Sequence, residues 1–86
     1  VMEIADTSLT PEQRIEQTER QKLVRQAIDE LSEEYKTVIT LCDIEGMAYD
    51  KIAEILKCPT GTVKSRLSRA RAALRNKISE KRELFF

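Results

Sequence analysis

The side chains with the clearest chemical potential are the cations in the second half of the chain. The stretch from Lys57 to Ile78 contains no acidic residue, and its cations are Lys57, Lys64, Arg66, Arg69, Arg71, Arg75 and Lys77. Guanidinium and ammonium groups bind phosphate oxygens, and an arginine can also donate two hydrogen bonds to a guanine edge. A charge block of this kind is usually a solvated face, but concentrated on one short helix it also makes a footprint for phosphate.

The formal net charge of zero conceals a strong asymmetry along the chain. Residues 1–50 carry a formal charge of −7, and residues 51–86 carry +7. An acidic segment is usually a solvated surface, but this one could also weaken non-specific DNA binding or meet a basic patch on a protein partner.

The residue types argue against catalysis and metal binding. Histidine is absent, and the two cysteines, Cys42 and Cys58, cannot supply a four-thiolate zinc site. No nucleophile–base pair and no glycine-rich phosphate loop is present, so the sequence predicts no enzyme, no metal and no cofactor. We expect both cysteines to be small buried hydrophobic residues in a reducing cytoplasm, with a disulfide or redox switch as the alternative. No apolar run reaches the ~20 residues of a membrane span, so no membrane insertion is expected.

The elements that must position the cations are all predicted to be helices. The chain has 86 residues, 41% of them apolar, and only two glycines and two prolines, which suits one small all-α domain. Thr10 and Pro11 form a helix start signal, and Ser32 before two glutamates forms a second. The apolar spacing continues that second helix to Cys42, and Gly46 suits its end.

Two further helices complete the predicted fold. The third covers about residues 49–57, Pro59 breaks it, and the fourth begins at Thr60 with apolar residues at helical spacing as far as Ile78. The predicted architecture is a four-helix domain in which the third and fourth helices form a helix-turn-helix. The expected organisation is a linker or loose arm at residues 1–9, the domain at 10–79 and a C-terminal tail at 80–86.

A helical wheel divides the fourth helix into two faces. Its apolar residues fall within an arc of about 80°. The opposite face carries small or polar side chains, namely Gly61, Ser65, Ala72 and Asn76, with Ser68 and Arg69 beside them. Small groups would let the helix backbone approach the floor of a major groove while cations at the edges reach phosphates. An amphipathic surface helix in a bundle is the alternative.

Four segments of the chain resemble region 4 of bacterial sigma factors. They are Leu31–Tyr35, Asp43–Tyr49, Ile52–Leu56 and Cys58–Arg71. The last is the specific one and resembles the extracytoplasmic-function group closely, and the match covers roughly residues 10–78. Ala48 departs from the pattern, because the family often has a capping Ser or Thr there.

The resemblance implies a function in transcription and transcription regulation. It implies promoter recognition at the −35 element by a domain that docks on the flap of the RNA polymerase β subunit and directs transcription initiation. An anti-sigma factor is a further implied partner. The family's region 2 has no counterpart here, so the chain is expected to be a fragment or separated domain that cannot open a promoter by itself.

The helical wheel and the resemblance together predict the DNA-binding residues. Arg69 is the best candidate for contact with base edges, followed by Lys64, Ser65 and Ser68. Backbone amides at the start of the fourth helix favour a phosphate, which assigns Thr60, Gly61 and Thr62 to that role, although Gly61 could instead serve only the turn. The expected phosphate contacts of the side chains are Arg66, Arg71 and Arg75, with an ion pair to an acid of the second helix as the alternative for Arg66.

Two other functions remain open at this point. A response-regulator output domain has a similar four-helix layout but usually dimerises through its last helix, and the run from Ser65 to Arg71 argues against it. A protein-interaction module would use the basic helix to contact an acidic partner. The latter predicts no DNA binding even at low salt.

Overall fold

The structure, a computed structural model, describes residues 10–85 and contains only helices within that range. Helix α1 spans Pro11–Asp29, α2 spans Glu33–Ile39, α3 spans Tyr49–Leu56 and α4 spans Thr60–Phe85, and a π-helical turn covers Thr40–Ile44 between α2 and α3. The all-α, four-helix prediction with a helix-turn-helix formed by α3 and α4 is confirmed. The predicted linker or arm at residues 1–9 lies outside the described residues.

The helix starts follow from local capping. At α1, the Thr10 hydroxyl accepts from the Gln13 amide at 3.1 Å, and the Gln13 side chain accepts from the Thr10 amide at 3.0 Å. This reciprocal pair satisfies two amides that the helix itself cannot bond. At α2, the Ser32 hydroxyl accepts from the Tyr35 amide at 3.4 Å. Both predicted start signals are confirmed.

The end of the second helix differs from the prediction of one regular helix. From Thr40 the helix widens into a π-helical turn. The Glu45 amide donates to the Thr40 carbonyl, five residues earlier, at 2.9 Å. Such a π-turn changes the direction of the side chains that follow, and here Asp43 lies against Arg71 of α4. Gly46 then reverses the chain with a φ of 71°, a conformation that glycine adopts without strain.

Helix α4 contributes buried residues to both parts of the hydrophobic core. One cluster joins the end of α1 and helix α2 to α4, and a second joins α3 to α4. The buried members of the first cluster are Ile28, Leu31, Val38, Ile39, Leu67 and Ala70, and those of the second are Ile52, Ala53 and Val63. Because α4 contributes to both clusters from one side, its opposite side is left for solvent or a ligand.

Helix α4 is longer than the sequence analysis expected. The segment assigned to a tail, residues 80–86, is helical as far as Phe85. Glu30, at the end of α1, forms ion pairs with both Lys77 and Lys81. These pairs hold the extension against α1, which explains why the helix does not stop near residue 79.

Candidate nucleic-acid interface

A short turn sets the angle between α3 and α4. Lys57 adopts a left-handed conformation with φ 56° and ψ 50°, and the Cys58 amide donates back to the Ala53 carbonyl at 3.1 Å. Pro59 cannot donate a backbone hydrogen bond, so the α3 ladder stops there. Helix α4 starts at the next residue, Thr60.

Helix α3 begins without a side-chain cap, unlike α1 and α2. Ala48 occupies the N-cap position and offers no side-chain acceptor. The Lys51 amide is bonded only locally, to the Ala48 carbonyl at 3.1 Å and to the Asp50 carboxylate at 3.0 Å. The departure from the family pattern noted at Ala48 thus leaves a missing cap in the structure.

The two faces of α4 are divided as the helical wheel predicted. Val63, Leu67 and Ala70 are at most 1% exposed. The outer face carries exposed small and polar residues together with two long cations, namely Gly61, Lys64, Ser65, Ser68 and Arg69. An array of small groups around a long donor can approach a groove floor closely.

Gly61 has no internal reason to be glycine. A side-chain carbon built at this position would meet no atom within 4 Å, and the backbone conformation is one that any residue adopts. The alternative in which Gly61 only serves the turn therefore finds no support in packing or in φ. The amides of Thr62 and Val63 both donate to the Pro59 carbonyl, at 3.0 and 3.3 Å. The amides of Thr60 and Gly61 make no such bond to the described chain, so they are available to an anion.

Arg69 is the long cation most available on the outer face. It is exposed and forms no ion pair with any residue in the range 10–85. Close to it, the Ser65 hydroxyl donates to the Thr62 carbonyl at 3.2 Å, which leaves its oxygen free to accept. Ser68 is exposed as well.

Lys64 lies at one edge of the outer face, beside the start of α3. Its ammonium nitrogen is 5.9 Å from the centre of the Tyr49 ring, within the range of a cation–π contact. The ring thereby favours one position of an otherwise flexible side chain. This contact was not anticipated from the sequence, because it joins residues on two helices.

Arg66 lies at the opposite edge and is engaged within the protein. Its guanidinium is 2.9 Å from a carboxylate oxygen of Glu34 in α2, and only 26% of its side chain is exposed. The predicted alternative, a pair with an acid of the second helix, is therefore present in the structure. A phosphate contact by Arg66 would require this exposed carboxylate to be exchanged.

Arg71 is also held within the protein, by a partner that the sequence analysis did not identify. Its Nε donates to Oδ2 of Asp43 at 3.0 Å, and its Nη2 donates to Oδ1 of the same carboxylate. The hydrogen bonds and the positive charge of Arg71 lower the pKa of Asp43, and the Asp43 carboxylate raises the pKa of Arg71 in turn. The Arg71 guanidinium, which the sequence predicts to bind a phosphate, is thus already engaged by Asp43.

The two cysteines are free, half-buried thiols. Cys42 lies 3.8 Å from the Arg71 guanidinium, and desolvation together with the neighbouring Asp43 raises the pKa of its thiol. No cluster of metal-ligating side chains occurs between residues 10 and 85. None of the helices in that range is long and apolar enough to cross a bilayer.

Comparison with known proteins gives a consistent family match. The family described as "Sigma-70, region 4" matches residues 21–74. An ECF RNA polymerase sigma-E factor of Haemophilus influenzae is 48% identical over 69 residues, which cover 80% of this chain and 36% of that protein. ECF RNA polymerase sigma-E factors of Escherichia coli K12 and Salmonella typhimurium LT2 are each 41% identical over 68 residues. Those residues cover 79% of this chain, which again spans 36% of the relatives' length.

Proposed function

The chain belongs to the sigma-70 region 4 family, and we propose that its helix α4 reads the −35 element of promoters as the DNA-binding part of an extracytoplasmic-function sigma factor. The observation that carries this proposal is the outer face of α4. That face is exposed, lined by small residues and provided with two long donors, Lys64 and Arg69, neither of which has an acidic partner among the described residues. A groove-facing helix needs this combination, whereas a bundle helix does not.

Arg69 is the proposed base reader. A guanidinium can donate two parallel hydrogen bonds to O6 and N7 of guanine, and one such pair contributes about 1–3 kcal/mol of discrimination. Ser65 and Ser68 flank it and can accept or donate single hydrogen bonds, and Lys64 extends the set toward the groove edge. The promoter motif expected from the resemblance is GAAC-like, and its first base pair contains such a guanine.

The start of α4 is the proposed phosphate site. The free amides of Thr60 and Gly61 lie at the positive end of a helix of 26 residues. The absence of a side chain at Gly61 lets the DNA backbone approach these amides. Thr62 contributes its hydroxyl rather than its amide, since the amide is bonded to Pro59.

The remaining cations divide into free and engaged groups. Arg75 is exposed and forms no ion pair with the described residues, so it is available as a phosphate contact. Arg66 would reach a phosphate by leaving Glu34, whose side chain is 59% exposed and can be solvated instead. Arg71 is engaged by Asp43 through two hydrogen bonds and is therefore not a free phosphate contact.

The wider role follows from the family. Within a complete sigma factor, the domain would dock on the flap of the RNA polymerase β subunit and place α4 on promoter DNA, directing transcription initiation. An anti-sigma factor that covers α4 would block this step. Family membership favours these assignments over a response-regulator output domain.

The test is binding of the domain to a duplex with a GAAC-like −35 sequence and to a scrambled duplex across a salt series. The proposal predicts a preference for the −35 duplex that survives rising salt, because base contacts depend less on counterion release than phosphate contacts do. Equal and steeply salt-dependent binding to both duplexes would reduce α4 to a non-specific basic helix. No binding to either duplex at low salt would favour a protein-interaction module.

A further inference from the structure

Four side chains lie in series beneath one edge of α4. Asp43 comes from the π-helical turn, Tyr49 from the first position of α3, and Arg71 and Lys64 from α4. Arg71 binds Asp43 through two hydrogen bonds and contacts Cys42, which packs against the same two core clusters as Tyr49, and Lys64 lies over the Tyr49 ring. The series ends at a predicted DNA contact, although its first member is an acid.

The Asp43–Arg71 pair is suited to fixing geometry. It is a two-point contact with Nε 3.0 Å from Oδ2, and such forks restrain orientation as well as distance. It also joins segments 28 residues apart in the sequence. The pair that joins Arg20 to Glu16 within α1 is longer, at 3.8 Å, and both its side chains are mostly exposed.

The contact lies near the start of α3, which has no side-chain cap. Helix α3 has only eight residues and no side-chain cap at Ala48, so its first residue, Tyr49, depends on side-chain contacts for its position. Tyr49 is half-buried and packs against both core clusters, as Cys42 does. Because Arg71 contacts Cys42, the Asp43–Arg71 pair lies next to both clusters.

We propose that Asp43 is a positioning residue for DNA recognition, which fixes Arg71 and, through Arg71 and Tyr49, the place of Lys64 at the edge of the reading face. This inference rests on the proposed function of α4. Under this proposal, Arg71 has a structural role instead of contacting a phosphate. It also explains how an acid can lie beside a basic helix without opposing DNA binding, since its charge is matched by Arg71 within the protein.

The test compares Asp43→Asn with a matched control, Glu45→Gln. Both variants remove one negative charge near the end of the π-helical turn, but Glu45 is exposed and forms no ion pair with the described residues. Asp43→Asn should lower the ratio of −35 to scrambled-duplex affinity by roughly five- to tenfold, in the range of couplings between contacting residues. Glu45→Gln should leave the ratio unchanged.

A double-mutant cycle identifies the route. If Asp43 acts through Lys64, Asp43→Asn should reduce the preference little further when Lys64→Ala is already present. A charge swap that combines Asp43→Arg with Arg71→Asp re-forms the ion pair in the opposite orientation. It should recover part of the ratio of −35 to scrambled-duplex affinity that Asp43→Asn loses. Full additivity of Asp43→Asn and Lys64→Ala would overturn the proposed route, and an equal rise in affinity for both duplexes would mean that Asp43 only repels phosphate.

A readout without DNA separates this inference from the proposed function. In NMR spectra, the Lys64 side chain should show ring-current shifts from Tyr49 that Asp43→Asn diminishes and Glu45→Gln retains. If the unmodified domain shows no −35 preference, the proposed function fails, and these shifts still decide whether Asp43 positions Lys64. Unchanged Lys64 shifts in Asp43→Asn would contradict the positioning role.

Discussion

At the scale of single residues, Gly61 is the position where stability and function are expected to separate. Glycine in a helix is less stable than alanine by about 0.5–1 kcal/mol, and no neighbour prevents a methyl group here. Gly61→Ala should therefore stabilise the domain slightly in thermal unfolding while weakening its affinity for the −35 duplex.

The control for this prediction is Ser79→Ala, an exposed position far along the same helix. It should leave DNA affinity unchanged. Retention of full DNA affinity by Gly61→Ala would show that nothing approaches this helix start closely.

How far individual residues could be predicted depended on whether their contacts are local. The availability of Arg69 followed from its place on the helical wheel, and the pairing of Arg66 with an acid of α2 was one of two stated alternatives. The Asp43–Arg71 pair could not be derived, because no periodicity tells which acid of one helix meets which cation of another. That contact depends on the π-turn and on the packing of α2 against α4.

At the scale of elements, the missing cap of α3 gives a direct stability prediction. Ala48→Ser supplies an oxygen that can accept from the free amides of the first turn. We expect the free energy of unfolding to rise by about 1 kcal/mol, measured by urea denaturation. Ala48→Gly, which adds no acceptor, is the control, and an equal rise with glycine would assign the gain to the backbone instead.

The two left-handed residues should respond to substitution in opposite directions. Both residues have a positive φ. Lys57 carries a side chain that disfavours this conformation, whereas Gly46 adopts it freely. Lys57→Gly should stabilise the domain and Gly46→Ala should destabilise it, each by about 1 kcal/mol, because a side chain is strained in this conformation. Thermal unfolding of both variants checks the pair, and a loss of stability in Lys57→Gly would mean that the lysine side chain contributes more than its strain costs.

The starts of the helices were the most predictable feature of the fold. Thr10 and Ser32 act within four residues of themselves, so their capping function is readable from sequence. The π-turn after Ile39 and the extension of α4 to Phe85 depend on distant partners. Local patterns thus predicted where helices begin better than where they end.

At the scale of the whole molecule, the charge asymmetry is partly used to hold the helices together. Acids of the first half bind cations of the second half in pairs that join Glu30 to Lys77 and Lys81, Glu34 to Arg66 and Asp43 to Arg71. The fold therefore neutralises cations at both edges of α4 and leaves Lys64, Arg69 and Arg75 unmatched by acids within the described chain. The two blocks of charge are visible in the sequence, but which cations pair with acids is not.

These pairs predict acid sensitivity. The hydrogen bond from Lys81 lowers the pKa of Glu30, and the hydrogen bonds from Arg71 lower that of Asp43. A carboxylate with a lowered pKa stabilises the fold above its unfolded pKa and loses that effect as the pH falls through the folded value. We therefore expect the urea concentration at the unfolding midpoint to decrease as the pH drops below about 5.

The combination of Glu30→Gln with Asp43→Asn should flatten this pH dependence, because it removes the two groups that take up protons on unfolding. Glu45→Gln serves as the control for loss of an exposed acid. An equally steep acid transition in the double variant would mean that other carboxylates govern it.

The central claim, that α4 reads bases, is tested most directly by pairing a protein change with DNA changes. The affinities of the unmodified domain and of Arg69→Ala are measured for the −35 duplex and for duplexes in which each base pair of the motif is replaced in turn, with Arg75→Ala as the phosphate-contact control. We expect Arg69→Ala to abolish discrimination at one guanine-containing pair, about 1–3 kcal/mol, and to leave discrimination at the other positions nearly unchanged. Arg75→Ala should weaken all duplexes alike and lower the salt slope by about one. Uniform weakening of every duplex by Arg69→Ala would contradict the claim.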